Sequence, residues 1–182
     1  MALLTIQPTK ADRRIADAIA SRTTPPFEEA AELLTYGADE KVLLALATIG
    51  WLYALGRGKH QRLANHVMAV SLISSILPHL MKAAVDQIRP DRLSVRGHWR
   101  GIPFSGRPRD AFPSGHALHM GALASAAGLL SEKPRRALRA IAVGLSATRV
   151  LLLAHWASDV IAGFALGAAI ERLLRHLTLQ RH

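Results

Sequence analysis

Five apolar blocks, at about residues 41–55, 63–85, 114–130, 137–154 and 158–174, divide the chain, and short basic segments join most of them. Apolar runs approaching the ~20 residues that cross a bilayer belong either in a membrane or at the centre of a soluble bundle. Within the blocks there is little amphipathic alternation, so no face of these helices is suited to water. The pattern predicts an all-α fold, an integral membrane helical bundle with about five transmembrane helices. Several blocks fall short of a full span, and buried helices of a soluble bundle are the competing account.

Charge placement sharpens this reading. A formal net charge of +10 is compatible with nucleic-acid binding, but many of the cations sit between apolar blocks. Arg57, Lys59 and Arg62 form one set, Lys133, Arg135, Arg136 and Arg139 a second, and Arg172, Arg175 and Arg181 a third. With five spans the three sets fall on one side, which the positive-inside rule makes cytoplasmic. The expected location is the cell inner membrane, multi-pass, with the N-terminal region and residues 86–112 on the periplasmic or exterior side. Arg89, Arg92, Arg96, Arg100, Arg107 and Arg109 in that segment, and Lys10, Arg13, Arg14 and Arg22 before the first span, would invert the assignment if they set the topology. No cleavable signal peptide is expected from the short apolar start, and without cysteine there is neither disulfide nor thiolate chemistry.

Residues 1–38 read as an N-terminal amphipathic, interfacial segment and 39–182 as the transmembrane domain. Ile15, Ala18 and Ile19 form the apolar stripe of a surface helix over residues 9–22. Thr24-Pro25-Pro26 opens a second helix that Gly37 closes, and Asp39 can cap the first span. Gly163 and Gly167 make a G-x-x-x-G that permits close helix packing within one chain or between two, so a homo-oligomer stays open.

Three polar clusters interrupt this apolar chain. In the first, Arg149, His155 and Asp159 stand where lipid is expected, at a cost that usually marks a site. On a helix, His155 and Asp159 at i and i+4 would stack on one face, where a carboxylate can hold an imidazole in one tautomer. Snorkelling of boundary residues into headgroups is the alternative. In the second, Lys82 and Arg89 are seven residues apart, two turns on one side of a helix. In the third, Pro113-Ser114-Gly115-His116 precedes an apolar run; Ser114 is suited to a helix N-cap, and the turn can offer amides, a hydroxyl and an imidazole to an anion.

In order and spacing, the three clusters resemble the K-x6-R-P, P-S-G-H and S-R-x5-H-x3-D signature of the type 2 phosphatidic acid phosphatase and vanadium haloperoxidase superfamily, with Thr148 in place of the serine. The resemblance implies a membrane lipid phosphate phosphatase, a metal-independent phosphoric monoester hydrolase needing no cofactor. Its phosphate would be held by Lys82, Arg89, Arg149, Ser114 and Gly115. His155 would attack phosphorus to give a phosphohistidine, Asp159 would orient the ring, and His116 would protonate the leaving group. The partners implied are the membrane and a lipid phosphate, either a phospholipid or a polyprenyl phosphate or diphosphate. Without large extramembrane insertions the chain favours a small headgroup over a bulky sugar lipid. A vanadate-dependent haloperoxidase is disfavoured by the apolar spans, and a non-enzymatic lipid-binding scaffold by the intact His116, His155 and Asp159.

His116 and His119 form an H-x-x-H, but no carboxylate or cysteine joins them in that turn, so His119 reads as a packing residue and no metal site is expected. His60, His66, His79, His98, His176 and His182 read as boundary or surface residues. Trp99, Phe104 and Phe112 in the glycine- and proline-broken loop before Pro113 read as headgroup anchors.

Overall fold

A computed structural model describes residues 3–92 and 107–179. Trp99, Phe104, His98, His182 and Arg181 lie outside the described residues.

Each apolar block forms a helix. They are α3 (Glu40–Ala54), α4 (Lys59–Ala84), α5 (Gly115–Ala126), α6 (Glu132–Leu151) and α7 (Ala157–Thr178), preceded by α1 (Lys10–Arg22) and α2 (Pro25–Thr35). Asp39 caps α3 as expected, accepting from the amides of Lys41 and Val42. Pro25 and Pro26 open α2, where a missing N–H costs nothing. Gly37 falls in a 3-10 turn, Tyr36–Ala38, that joins α2 to the cap of α3. The second basic set does not fill a loop. Helix α6 starts at Glu132, so Lys133, Arg135, Arg136 and Arg139 lie on its first two turns. The described residues also form two short strands, β1 (Leu4–Thr5) and β2 (Val85–Asp86), paired in parallel with Leu4 opposite Val85.

Helix α5 occupies the centre, with α7 as its main neighbour and α6, α4 and α3 around it. Eight of its twelve residues are buried, as a helix apolar on all sides requires. Small residues make that centre. An added Cβ on Gly167 would fall 1.8 Å from the Leu118 carbonyl oxygen, one on Gly121 1.9 Å from that of Phe164, and one on Gly163 2.5 Å from that of Ser114. The G-x-x-x-G is therefore used inside the chain, letting α7 approach α5 at backbone distance.

The outside carries the large apolar side chains. Leu46, Ile49 and Leu52 on α3, Ile76 and Leu80 on α4, Ile141 and Val143 on α6 and Ile161 on α7 are all exposed. Small residues inside and leucine or isoleucine outside suit hydrocarbon surroundings better than water. By length and composition one helix among the described residues, His60–Ala84, is long and apolar enough to cross a membrane by itself.

The N-terminal segment is tied to the bundle. Ala16 of α1, with Ile19 and Ala20 beside it, packs on Ala111, Leu153 and Trp156, while Ile15 of the expected stripe is 40% exposed. Asp12, only 3% exposed, accepts from the amide and hydroxyl of Ser158 at 2.9 Å each, at the start of α7. Burial pushes its carboxyl upward, but the donors of Ser158 and Thr9 outweigh this and hold it below its usual 3.8. His66 also departs from expectation: it is fully buried, 3.2 Å from Glu171 and 2.8 Å from the Thr178 hydroxyl.

Candidate active site

The three clusters converge at one end of the bundle, where α4 and α6 finish and α5 and α7 begin. The expected helical frame for two of them is corrected. Helix α4 stops at Ala84, so Arg89 reaches Lys82 from an extended segment rather than from the same helix. That segment is held by residues 107–111: the amides of Gln87 and Arg89 donate to the carbonyls of Arg109 (3.0 Å) and Pro108 (3.1 Å), and the amide of Ala111 donates to that of Gln87 (3.2 Å). The Trp156 indole N–H donates to the Ile88 carbonyl at 2.7 Å.

Arg89 is 2% exposed and fixed on three sides. Its Nε donates to Asp110 Oδ1 (2.9 Å), its Nη2 lies 2.9 Å from the same oxygen, and its Nη1 donates to the Ala154 carbonyl (2.8 Å). Asp110 has no counterpart in the three-part signature. The sequence signal available was an acid three residues before Pro113, in a segment otherwise crowded with arginine.

His155 lies in the turn between α6 and α7, not on a helix with Asp159. Leu153, at φ 53, is in the left-handed region that lets this turn reverse; for a non-glycine residue such a conformation costs about 1–3 kcal/mol and persists where packing enforces it. The amides of both Ala154 and His155 donate to the Arg149 carbonyl at 3.1 Å, fixing the imidazole relative to that arginine. The ring's Nδ1 is 2.6 Å from the Ala111 carbonyl and 3.9 Å from Asp159 Oδ2. A carbonyl only accepts, so Nδ1 carries the proton and Nε2 of the neutral ring is bare. Nε2 faces Arg89 Nη1 at 3.5 Å. The orienting partner is thus a backbone carbonyl. Asp159 instead accepts from the Trp156 amide at 2.9 Å, capping α7, and lies within charge range of the ring. Burial, then the charges of Arg89, Arg149 and Lys82, hold the His155 pKa well below 6.5.

Arg149 is 4% exposed on the last turn of α6, and its Nη1 donates to the hydroxyl of Thr35 on α2 (3.2 Å). The Thr148 hydroxyl donates to the Leu145 carbonyl (2.6 Å) and lies 3.2 Å from Thr35 Oγ1. Thr35 Oγ1 thus accepts from Arg149 and joins it to Thr148. Thr148, which stands where the signature has serine, is therefore engaged inside the protein.

Ser114 is buried and caps α5, its Oγ accepting from the Ala117 amide at 3.4 Å. An added Cβ on Gly115 would meet Pro78 at an ordinary 3.6 Å, so protein crowding does not require this glycine. His116, half-buried on the first turn of α5, has no hydrogen-bond partner among the described residues, and Arg149, His119, Lys82 and Arg89 are its electrostatic neighbours. His119 turns toward Ser75 of α4, 3.4 Å away. The assembled site holds three cations, one imidazole with a bare nitrogen and a second imidazole with no hydrogen-bond partner among the described residues. Such a set neutralises and attacks a tetrahedral oxyanion.

The sequence profile of the PAP2 superfamily matches residues 63–182. Two relatives are named lipid A 1-phosphatase. That of Rhizobium johnstonii is 33% identical, over 82% of this chain and 67% of its own length; that of Rhizobium etli is 35% identical, over 81% and 70%. Two solved structures share the fold. A PAP2-type phosphatidylglycerolphosphate phosphatase from Bacillus subtilis aligns at TM-score 0.73 and 22% identity, over 94% of this chain and 86% of that one. Aquifex aeolicus LpxE aligns at 0.75 and 16%, over 93% and 98%. The three clusters, their convergence and these likenesses together place the chain in the PAP2 superfamily, among its membrane phosphatases.

Proposed function

We propose that the chain removes the phosphate from the sugar anomeric position of a lipid A-type glycolipid by way of a phosphohistidine. The substrate class rests on the relatives' names at 33% and 35% identity over four-fifths of the chain. These names redirect the expectation of a small headgroup toward a sugar lipid. The observation that carries the chemistry is the His155 ring, its Nδ1 N–H donating to the Ala111 carbonyl and its bare Nε2 among cations.

In the first step His155 Nε2 forms a bond to phosphorus while the bond from phosphorus to the sugar oxygen breaks, and His116 gives that oxygen a proton. In the second, His116 takes a proton from water, whose oxygen bonds to phosphorus as the N–P bond breaks. Lys82, Arg89 and Arg149 offset the charge on the phosphoryl oxygens, with Ser114 and the amides of Gly115 and His116 as neutral donors. Asp159 stabilises the imidazolium formed in the first step. The site faces the periplasm or exterior, in a multi-pass protein of the inner membrane whose residues 1–38 cover the site that 39–182 build.

Phosphate release is measured with the purified protein in detergent, on lipid A, phosphatidic acid, phosphatidylglycerolphosphate and undecaprenyl diphosphate. Wild type is expected to release phosphate fastest from lipid A. His155→Ala should lose all turnover, and His116→Ala about 10²- to 10⁴-fold. Equal release by wild type and His155→Ala refutes the nucleophile, preference for another lipid refutes the substrate, and no release from any refutes both in favour of a binding role.

A further inference from the structure

Helices α6 and α7 are consecutive and joined by a five-residue turn, 152–156, yet α7 packs mainly on α5. A crevice therefore runs between α6 and α7. At the basic end it is a cavity of about 300 Å³, walled by Val143, Phe164 and Ala168 and lined by Arg139, Arg172 and Ser125. Toward the site it continues as a cavity of about 420 Å³ that shares Val143 and Phe164 and adds Ala147, Val150, Ile161 and Ala165. The one hydroxyl in this upper part, that of Ser146, donates to the Ala142 carbonyl at 2.8 Å and offers nothing to a ligand.

The charges at the mouth are unequal in a telling way. Arg175 is neutralised by the buried Glu171 (2.6 Å), and Arg136 pairs with Glu132. Arg139 donates from Nε to the Ala124 carbonyl (3.2 Å), and neither it nor Arg172 has an ion-pair partner among the described residues. Two uncompensated guanidinium groups thus stand where an otherwise apolar crevice opens. From Arg139 to Val150 the crevice follows α6 for about 16 Å, close to half of the ~30 Å hydrocarbon core. In a bilayer such a groove takes hydrocarbon, and cations at headgroup depth select the charge of the head that accompanies it.

We infer that this crevice is a binding site for an anionic glycerophospholipid of the surrounding bilayer, its phosphate on Arg139 and Arg172 and one acyl chain along Val143, Ala147, Phe164 and Ala165. On α6, Arg139 lies about 15 Å before Arg149, so the charged mouth is at the end of the crevice away from the phosphate cradle. This site depends neither on the identity of the lipid phosphate hydrolysed nor on the direction of insertion. By bridging α6 and α7 from outside, the bound lipid fills the gap that α5 leaves open.

The full chain in detergent is titrated with phosphatidylglycerol or phosphatidylcholine of identical acyl chains, and bound lipid is counted by native mass spectrometry. Wild type is expected to retain phosphatidylglycerol on the order of tenfold better. The double variant R139Q/R172Q should lose that preference, whereas R135Q/R136Q, at the same end but outside the crevice, should keep it. A147F/A165F, which fills the crevice from lipid-exposed positions, should lower retention of both lipids while phosphate release stays at the wild-type level; it carries the test if R139Q/R172Q does not fold. Equal retention of the two lipids by wild type, equal loss in both arginine pairs, or full retention by A147F/A165F would overturn the site. So would a raised KM for the hydrolysed lipid in A147F/A165F with phosphatidylglycerol retention unchanged, which would make the crevice the substrate's own path.

Discussion

An imidazole that attacks phosphorus needs one bare nitrogen while surrounded by the cations that hold the phosphate, and His155 meets both conditions through its surroundings. The Ala111 carbonyl accepts a hydrogen bond from the Nδ1 N–H, and burial with Arg89, Arg149 and Lys82 keeps the ring neutral below its ordinary 6.5. This has a consequence for stability. As pH falls through 6.5 the unfolded chain binds a proton at His155 that the folded chain refuses, so the contribution of this residue to folding declines with acidification. Thermal unfolding between pH 7 and pH 5 is expected to fall more steeply in wild type than in His155→Asn; parallel curves would show that the folded histidine titrates normally. The clusters that build this site were legible as motifs because Lys82, Arg89, Ser114, His116, Arg149, His155 and Asp159 differ in chemistry from their apolar neighbours. Their supports were not. A backbone carbonyl has no sequence signature, Asp110 is one acid in a segment of arginines, and Thr35 lies 114 residues from the Arg149 it touches.

Between elements, the decisive contact is that of α5 with α7, which carry His116 and Asp159 on their first turns. Because an added methyl at Gly167 would fall 1.8 Å from a backbone oxygen, Gly167→Ala must push the helices apart. It is expected to destabilise by ~3 kcal/mol or more, the upper part of the range for overpacking, and to lower phosphate release with it. A Gly144→Ala control, where an added Cβ meets nothing within 4 Å, should change neither. The G-x-x-x-G announced close packing without naming the partner, since spacing on one helix says nothing about which neighbour fills it. The i, i+4 spacing of His155 and Asp159 misled in a related way: α7 begins at Ala157, after the turn that holds His155. Helix α1 holds the same end of α7 through Asp12 and Ser158. The lowered pKa of Asp12 means this tie is fully formed above about pH 3.8 and lost as pH falls through the lower folded value. At neutral pH, Asp12→Ala should expose residues 1–38 to protease faster than wild type and slow phosphate release, with the 39–182 fragment staying intact.

For the whole molecule, the alternation of five helices sends every phosphate-site residue to one end and the described arginines of the three basic sets to the other. Arg57 lies between α3 and α4, Arg135 and Arg136 at the start of α6, and Arg172 and Arg175 near the end of α7. Placing the arginines between α4 and α5 on the same side of the membrane as these would need one helix fewer or one more. The two ends are thus fixed relative to each other, and orientation reduces to which cations the insertion machinery counts. Arg89 is buried and paired with Asp110, and Arg109 pairs with Asp86 at 3.0 Å. Those pairings form only after folding, however, so the choice rests on position: cations in short segments between spans weigh most. The basic end is therefore expected in the cytoplasm. A reporter active only in the periplasm, fused at Gln180, should be silent, and the same reporter placed between Arg57 and Lys59 should be silent too. Activity from both would turn the phosphate site to the cytoplasm, where a lipid phosphate would have to be hydrolysed before it crosses. Activity from one alone would contradict the five-span alternation itself.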